Sequence, residues 1–348
     1  MTNNIIYNLP IWNGLRLTKT VPKIAKLEIG ESNIKGIFEQ KNIKQIKYNN
    51  DYMHMTPLSG SFYINYLRNK KNKLLSGLTK KTDNILEIGG GDSEVSNHIK
   101  FKSMTIVDPT LENSKNKKNI EIYADYFENI KLKKKFDVII LFSVIEHVDD
   151  INKFFKKISF YLKNNGKVFI TTPIIDSQFL RGDFNSLLHE HTYYFTNHGL
   201  LNLFNKFNYQ IIKYDIKNDC GYIILNKNQK YNNINFYPHY NIVFFKKIFE
   251  FQLIKFKKLL KENKSIIFYG ATNGLNSLLH LSKKIISNNK IAITDGDKTK
   301  INKYLPSFNL KIVSKKNINK YLLFVISAQS FQEEILKENL NVKSTSFQ

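Results

Sequence analysis

Cysteine is almost missing from this sequence. Cys220 is the single cysteine among 348 residues, so neither an intrachain disulfide nor a cysteine zinc cluster can form. Long apolar runs are missing too, because no stretch of about 18 or more uncharged apolar residues occurs, and this excludes a membrane-spanning helix. The opening segment "MTNNIIYNLPIWNGL" lacks a basic region followed by an apolar one, so a secretory signal is not expected. Together these absences predict a cytoplasmic protein without a membrane span.

Arginine is scarce although the chain is strongly basic. Arg16, Arg68 and Arg181 are the only arginines, while the formal net charge is +24. Such a charge attracts anions, whether nucleic acid, a nucleotide-linked substrate or an acidic membrane surface, unless the lysines are simply spread over a solvated surface. Nucleic-acid interfaces favour arginine for bidentate contacts to bases and phosphates. The composition therefore disfavours a nucleic-acid partner.

The chain is long enough for two or three domains. From about residue 83, short apolar strands alternate with helices, which predicts an α/β fold with a doubly wound, Rossmann-like sheet. A similar alternation restarts near residue 264 and predicts a second, smaller C-terminal α/β domain. The expected boundaries are a small N-terminal region on the substrate side, a cofactor-binding domain, a connecting helix and a C-terminal Rossmann-like domain, over residues 1–72, 73–238, 239–263 and 264–348. The connecting helix is basic and amphipathic, so its apolar stripe is either buried or rests on anionic lipid.

A glycine-rich stretch opens the alternating region. In "NILEIGGGDSEVSNHIK" (84–100) a strand leads into three glycines, and a helix is expected after them. A dinucleotide-binding loop needs a third small residue where Glu94 stands, and Asp92 and Glu94 would both face the pyrophosphate. The acids instead favour a cofactor with a cationic centre and no phosphate. S-adenosylmethionine, with its sulfonium and ammonium groups, has that chemistry.

Acidic residues end three successive predicted strands. Glu87 precedes the glycines, Asp108 ends "MTIVDP", and Asp125 lies in "YADYF". In doubly wound folds an acid about 20 residues after the glycine loop bonds ribose hydroxyls, which suits Asp108, and the following strand end suits the adenine amine. Gly89 and Gly91 would let the backbone approach the methionine part of the cofactor. The alternative is that these residues serve only in caps and turns.

With these motifs the sequence resembles class I S-adenosylmethionine-dependent methyltransferases. The resemblance rests on "ILEIGGGDS", "VDP", "FDVIILFSVIEHVDD" and "GKVFITTP", in this order over about residues 83–173. It implies S-adenosylmethionine as the cofactor. The cofactor-binding residues that it implies are Glu87, Gly89, Gly91, Asp108, Asp125, Ser143, Glu146 and His147.

A narrower resemblance is to sugar C-methyltransferases that act on nucleotide-linked deoxyketosugars. It rests on "HEHTYYFT" (189–196), "DCGYIILN" (219–226) and the C-terminal "FYGATNGLNSLLHL". It implies that His191 is the catalytic base and that Glu190 lies in the same site. Three features depart from that family: its N-terminal cysteine zinc module is missing, Leu188 replaces its tyrosine, and "CGYII" (220–224) stands where it has a Gly-Gly-Ser-x-Arg strand. The resemblance implies a small sugar or sugar-nucleotide acceptor. Because of the departures, the sequence leaves open whether the methylated atom is carbon or oxygen.

Three further residues are candidates for acceptor binding. Tyr52 and His54, in "DYMHM", could close over the acceptor or lie in a plain loop, and His189 could contact substrate or bond locally. The run of His, Glu and His could also be an incomplete metal site, although no metal is expected. An RNA methyltransferase and a binding protein without turnover are the other interpretations. The sequence does not indicate an oligomeric state.

Overall fold

A computed structural model describes residues 3–42, 62–91, 94–111, 116–227, 240–286, 289–316, 323–338 and 344–346. Tyr52 and His54 lie outside these residues, so their predicted role stays a prediction. None of the described helices combines the length and the apolarity needed to cross a membrane.

Seventeen strands and seven α-helices make up the described part of the chain. The strands are β1 (Ile5–Pro10), β2 (Ile24–Glu31), β3 (Ile37–Gln40), β4 (Asn84–Ile88), β5 (Ser103–Val107), β6 (Ile120–Tyr123), β7 (Phe136–Phe142), β8 (Leu162–Pro173), β9 (Tyr193–Phe195), β10 (Tyr209–Lys217), β11 (Cys220–Lys227), β12 (Ser265–Tyr269), β13 (Lys290–Thr294), β14 (Tyr304–Leu305), β15 (Leu310–Val313), β16 (Leu323–Ile326) and β17 (Ser344–Ser346). The helices are α1 (Phe62–Leu78), α2 (Ile151–Tyr161), α3 (Ile175–Leu180), α4 (Asn197–Lys206), α5 (Ile242–Glu262), α6 (Asn273–Leu281) and α7 (Gln332–Glu338).

A seven-stranded sheet in the order β10-β11-β8-β7-β4-β5-β6 carries the glycine loop. Strands β8, β7, β4, β5 and β6 run parallel, and β11 is antiparallel to both of its neighbours. Side chains alternate between the two faces, as expected for a strand buried on both sides. Leu86 and Ile139 join one core with α2 and α4, whereas Ile85 and Val138 join another with α1. The predicted doubly wound fold class is confirmed.

An antiparallel sheet in the order β1-β2-β3-β9 lies beside it. Its last strand comes from far along the chain, directly after the His-Glu-His run, and pairs with β3. Gly36 and Gly199 hold this sheet close to α4, because a Cβ on Gly199 would lie 2.2 Å from the carbonyl oxygen of Gly36. The segment that contains His191 is therefore held between the two sheets.

The C-terminal sheet has the order β14-β15-β13-β12-β16-β17. All its pairings are parallel except that of β14 with β15. Phe249 and Phe256 of α5 pack in one core with Phe268 of β12 and with Leu9 and Phe38 of the N-terminal sheet. The predicted C-terminal α/β unit is therefore present and packs through α5 against the N-terminal sheet. The domain boundaries given above stay predictions.

The segment after the glycine loop differs from expectation. In place of the predicted helix, the described residues form a short 3₁₀ turn at Glu94–Asn97. Val95 of this turn is buried in the core beside α1, so one apolar residue fixes the turn against the sheet. The sequence of residues 94–100 contains too few apolar positions to form the buried stripe of a longer helix.

Candidate active site

The glycine loop requires glycine for two separate reasons. Gly89 has a φ of 76°, a left-handed conformation that glycine adopts without a Cβ penalty. A Cβ there would also lie 2.5 Å from Cγ2 of Val144. At Gly90 a Cβ would lie 2.8 Å from the carboxyl group of Glu87. Gly91 follows directly, so the loop brings bare backbone and a buried carboxylate to the carboxyl end of β4.

The next two strand ends carry the other predicted acids. Asp108 is buried after β5, and its Oδ1 accepts hydrogen bonds from the amide and hydroxyl of Thr110. Asp125 follows β6 on the surface, and its Oδ1 accepts from the amide of Tyr126 and the side chain of Asn129. Both carboxylates therefore take part in turns, as the alternative explanation required. Parallel neighbouring strands nevertheless bring both to the same sheet edge as Glu87.

Strand β7 ends in a strained turn beside this loop. Ser143 has a φ of 52°, which is uncommon for a residue with a side chain, and its amide donates to the carbonyl of Thr171. Such conformations concentrate at functional sites. The turn points Val144 at Gly89 and leads directly into Glu146 and His147.

Glu146 is a deeply buried carboxylate at the centre of the cluster. It is 1% exposed, and its Oε2 accepts a hydrogen bond of 3.0 Å from the hydroxyl of Thr172. Burial raises the pKa of Glu146, and His147 partly opposes this. Its Oε1 lies 4.0 Å from Nε2 of His147. A carboxylate and two imidazoles thus share a site from which most water is removed.

The two Glu-His pairs of the sequence meet here. The Nδ1–H of His147 donates to the carbonyl of Glu190 at 3.0 Å, and the Nε2 of that ring is the nitrogen that lies nearer Glu146. The rings of His147 and His191 are edge to face, with centroids 4.9 Å apart. His191 is 8% exposed, and burial, followed by the charge of His147, holds its pKa well below the usual value. His191 is therefore neutral near pH 7 and able to accept a proton.

Backbone hydrogen bonds fix the segment that carries His191. The amides of Thr192 and Tyr193 donate to the carbonyl of Glu146, at 2.7 Å and 3.1 Å. On its other side, the carbonyl of Thr192 accepts from the amide of Gln40 in β3. The base candidate is thus attached to both sheets.

His189 makes a different contact. Its Nε2–H donates to the carbonyl of Ala25 in β2 at 3.1 Å, and burial lowers its pKa. The structure brings Glu190 and His191 together with Glu146 and His147, whereas His189 faces the N-terminal sheet. This contact agrees with the local hydrogen bond considered for His189, and its substrate-binding role stays a prediction.

Three of these side chains could also hold a metal ion. One ligand atom each of Glu146, His147 and His191 lies within 4.8 Å of the others. Neighbouring ligands of tetrahedral zinc lie about 3.4 Å apart at bond lengths of about 2.0–2.1 Å. The side chains would therefore have to draw together to hold zinc.

Residues 61–214 match the family described as "Methyltransferase domain". Among curated proteins, a ubiquinone biosynthesis O-methyltransferase from Pelagibacter ubique is 48% identical over 58 residues. That match covers 17% of this chain and 24% of the relative. The chain therefore contains a methyltransferase domain of the class that uses S-adenosylmethionine as methyl donor. The expectations of a methyltransferase and of this donor are confirmed.

Solved structures that resemble the chain include other methyltransferases. The N-methyltransferase NodS from Bradyrhizobium japonicum is 15% identical, with a TM-score of 0.36, and the match covers 51% of this chain and 99% of NodS. The 1,6-didemethyltoxoflavin-N1-methyltransferase from Burkholderia thailandensis is 12% identical with a TM-score of 0.38, covering 46% of this chain and 77% of that protein. The likeness is confined to about half of this chain and does not identify a substrate.

The site fits a cationic donor. The backbone at Gly89 and Gly90 has no room for side chains, and carboxylates end three adjacent strands with Glu146 behind them. A sulfonium and an ammonium find favourable charge here, whereas a pyrophosphate would be repelled. The residues present thus suit S-adenosylmethionine.

Sequence reasoning missed two contributors to the site. Thr172 bonds Glu146, and the polar "TTP" at the carboxyl end of β8 was a signal for it. Cys220 lies close enough to Glu146 for the charge of Glu146 to add to burial in raising the pKa of Cys220 to about 12. The position of Cys220 depends on strand pairing, which the sequence does not display. Val144, between the predicted residues Ser143 and Glu146, contacts the glycine loop.

Proposed function

We propose that this protein transfers a methyl group to carbon in a nucleotide-activated deoxyketosugar, with His191 as the general base. The observation that carries the proposal is the buried cluster of His191, His147 and Glu146 beside the glycine loop, in which His147 also bonds the backbone carbonyl of Glu190. The sequence resemblance to sugar C-methyltransferases supports the acceptor class. The charge of +24 agrees with a diphosphate-bearing substrate.

Methylation at carbon requires a base. Bound S-adenosylmethionine supplies an electrophilic methyl group, and Glu87, Asp108 and the glycine loop would hold it. A carbon beside a ketone must lose a proton to become nucleophilic, and a neutral imidazole can take that proton. A buried His191 is a weak base alone, but a carboxylate oxygen of Glu146 lies within 4.8 Å of its ring and would stabilise the imidazolium that forms. We expect the acceptor to bind on the side of the N-terminal region.

Isotope exchange tests the base without methyl transfer. A panel of nucleotide-linked 4-ketosugars is incubated with protein in deuterium oxide and without donor. We expect deuterium at the carbon beside the ketone with wild type, and loss of exchange in His191→Asn with donor affinity unchanged. His280→Asn, on α6 of the C-terminal unit, is the matched control and should exchange normally. Exchange at the wild-type rate in His191→Asn would refute the role of this residue.

Oxygen methylation is the second candidate. The short match to a protein named as an O-methyltransferase favours it, and a histidine can equally accept a hydroxyl proton. Proton and carbon NMR of the product separates the two, since a methyl bonded to carbon and a methyl bonded to oxygen resonate in different regions. An O-methyl signal together with no exchange at carbon would replace the carbon proposal.

A further inference from the structure

Helix α5 is apolar on two opposite faces. One face packs into the core between the N-terminal sheet and the C-terminal unit, through six buried residues: Ile242, Phe245, Phe249, Gln252, Phe256 and Leu260. This is the buried stripe expected of a connector. A helix that only connects would carry polar residues alone on the other side, whereas α5 also exposes large apolar residues there.

The opposite face exposes large apolar side chains. Phe251 is 61% exposed and Ile254 is 64% exposed, and Phe244 at the edge of the face is 41% exposed. At 3.6 residues per turn, Phe251 and Ile254 lie on one line with Lys247 one turn before and Lys258 one turn after. We call these four residues the outer stripe. Exposed apolar groups in such an arrangement mark an interaction surface.

The charge around the outer stripe is positive. The helix carries six lysines and two glutamates, and Lys255 Nζ lies 5.6 Å from the ring centre of Phe251. Lysine stems can lie along an apolar surface while their ammonium groups reach outward. A partner must therefore offer an apolar layer covered by negative charge.

An anionic lipid surface offers both features. A second copy of this face would bring two rows of lysines together, which is unfavourable. A nucleic acid would satisfy the lysines through phosphates but would leave the aliphatic Ile254 without a partner. A bilayer takes up the apolar side chains below the headgroups while lysines meet lipid phosphates. We propose that the outer stripe of α5 docks this protein on an anionic membrane surface, independently of the methyl acceptor.

Vesicle sedimentation tests this proposal on the full chain. Sucrose-loaded vesicles of phosphatidylcholine, with or without about one-third phosphatidylglycerol, are titrated with wild type and variants. We expect binding to the anionic vesicles, weakened at least about tenfold in Phe251→Gln/Ile254→Gln because two apolar side chains no longer enter the lipid. Lys247→Glu/Lys258→Glu should also weaken binding, by about fivefold or more for each lysine.

Matched controls separate the outer stripe from general surface properties. Phe160 on α2 is 65% exposed with Lys135 above its ring, so Phe160→Gln removes an equally exposed aromatic elsewhere. Lys80→Glu/Lys81→Glu makes the same charge change at another site, and both controls should bind as wild type does. Circular dichroism and donor affinity establish that each variant is folded.

Three results would overturn the proposal. The first is wild-type protein that remains in solution with anionic vesicles. The second is an equal loss of binding in the controls, which would assign binding to overall charge. The third is a dimer in solution that Phe251→Gln/Ile254→Gln dissociates, or RNA binding lost in the same variant, because the stripe would then belong to that partner.

Discussion

Asp183 should make the stability of this protein depend on pH in a direction unusual for a carboxylate. It is buried where the loop after α3 meets α5 and the C-terminal unit, and its Oδ1 accepts from the amide and side chain of Asn185. Asn185 in turn bonds Gly274 and Ser327. Among the described residues, Asp183 Oδ2 has no hydrogen-bond partner. Burial raises the pKa of Asp183 to about 6.

The magnitude follows from the difference in pKa between the folded and unfolded chain. The value rises from 3.8 to about 6, so the folded state holds the proton more tightly. Stability is therefore greatest below the unfolded value and falls as pH rises through the folded one. At about 1.36 kcal/mol per pKa unit, the ionised carboxylate costs about 3 kcal/mol above pH 7. About half of this cost develops between about pH 5 and pH 7.5.

Asp183→Asn tests this value. The amide retains an oxygen for the bonds from Asn185 but does not ionise. We expect the variant to gain stability relative to wild type by about 1.4 kcal/mol between about pH 5 and pH 7.5, measured by urea unfolding followed by circular dichroism. A difference that stays constant over this range would mean that Asp183 titrates normally and is not desolvated.

A second aspartate provides a control of opposite sign. Asp150 caps α2, and hydrogen bonds from the amides of Lys153 and Asn152 lower its pKa. The stability that it provides is present above its unfolded pKa and is lost as pH falls through the folded one. Asp150→Asn should therefore lose stability relative to wild type as pH rises toward about 4, and the difference should stay constant between about pH 5 and pH 7.5, where that of Asp183→Asn grows.

The remaining predictions concern the active site. Gly89→Ala should cost about 2 kcal/mol, from its left-handed backbone and the contact with Val144, and should abolish donor binding in calorimetry, whereas Gly77→Ala, with nothing near its Cβ, should be neutral or stabilising. Because burial lowers the pKa of His191, kcat/KM should stay level as pH falls through 6.5. A fall in kcat/KM centred at pH 6.5 or above, measured in stopped assays over a series of pH values, would show that His191 is not neutral and buried as described. Prolonged dialysis against EDTA should leave turnover unchanged, because the spacing of Glu146 and its two histidines is wide for zinc; lost activity that zinc restores would mean that a metal is required.

Local patterns predicted the parts of the site that follow one another in sequence. The strand before Gly89 and the acids at the next two strand ends are read from short apolar runs and from the residues that end them. Their side chains lie at one edge because parallel strands align. The left-handed turn at Ser143 gave no such signal, since serine is common in many turns.

Contacts between distant segments could not be predicted in this way. Thr192 donates to the carbonyl of Glu146, and β9, which follows Thr192, pairs with β3. The pairing of β9 with β3 depends on the shape of both sheets and on the close approach of Gly36 to Gly199. The sequence supplied both Glu-His pairs as candidates and assigned them to separate tasks. Only the fold brings them into one cluster.

Because the two Glu-His pairs lie in one cluster, their roles are linked. Burial moves the pKa of Glu146 upward and that of His191 downward, so both groups are pushed toward their neutral forms. Strongly perturbed pKa values of this kind concentrate at functional sites. A proton taken from an acceptor by His191 would convert a weakly coupled pair into an imidazolium beside a carboxylate. The positive charge on His191, which is unfavourable when the ring is alone, is then compensated within the cluster, and Glu87 and Asp108 keep their negative charge for the cationic cofactor.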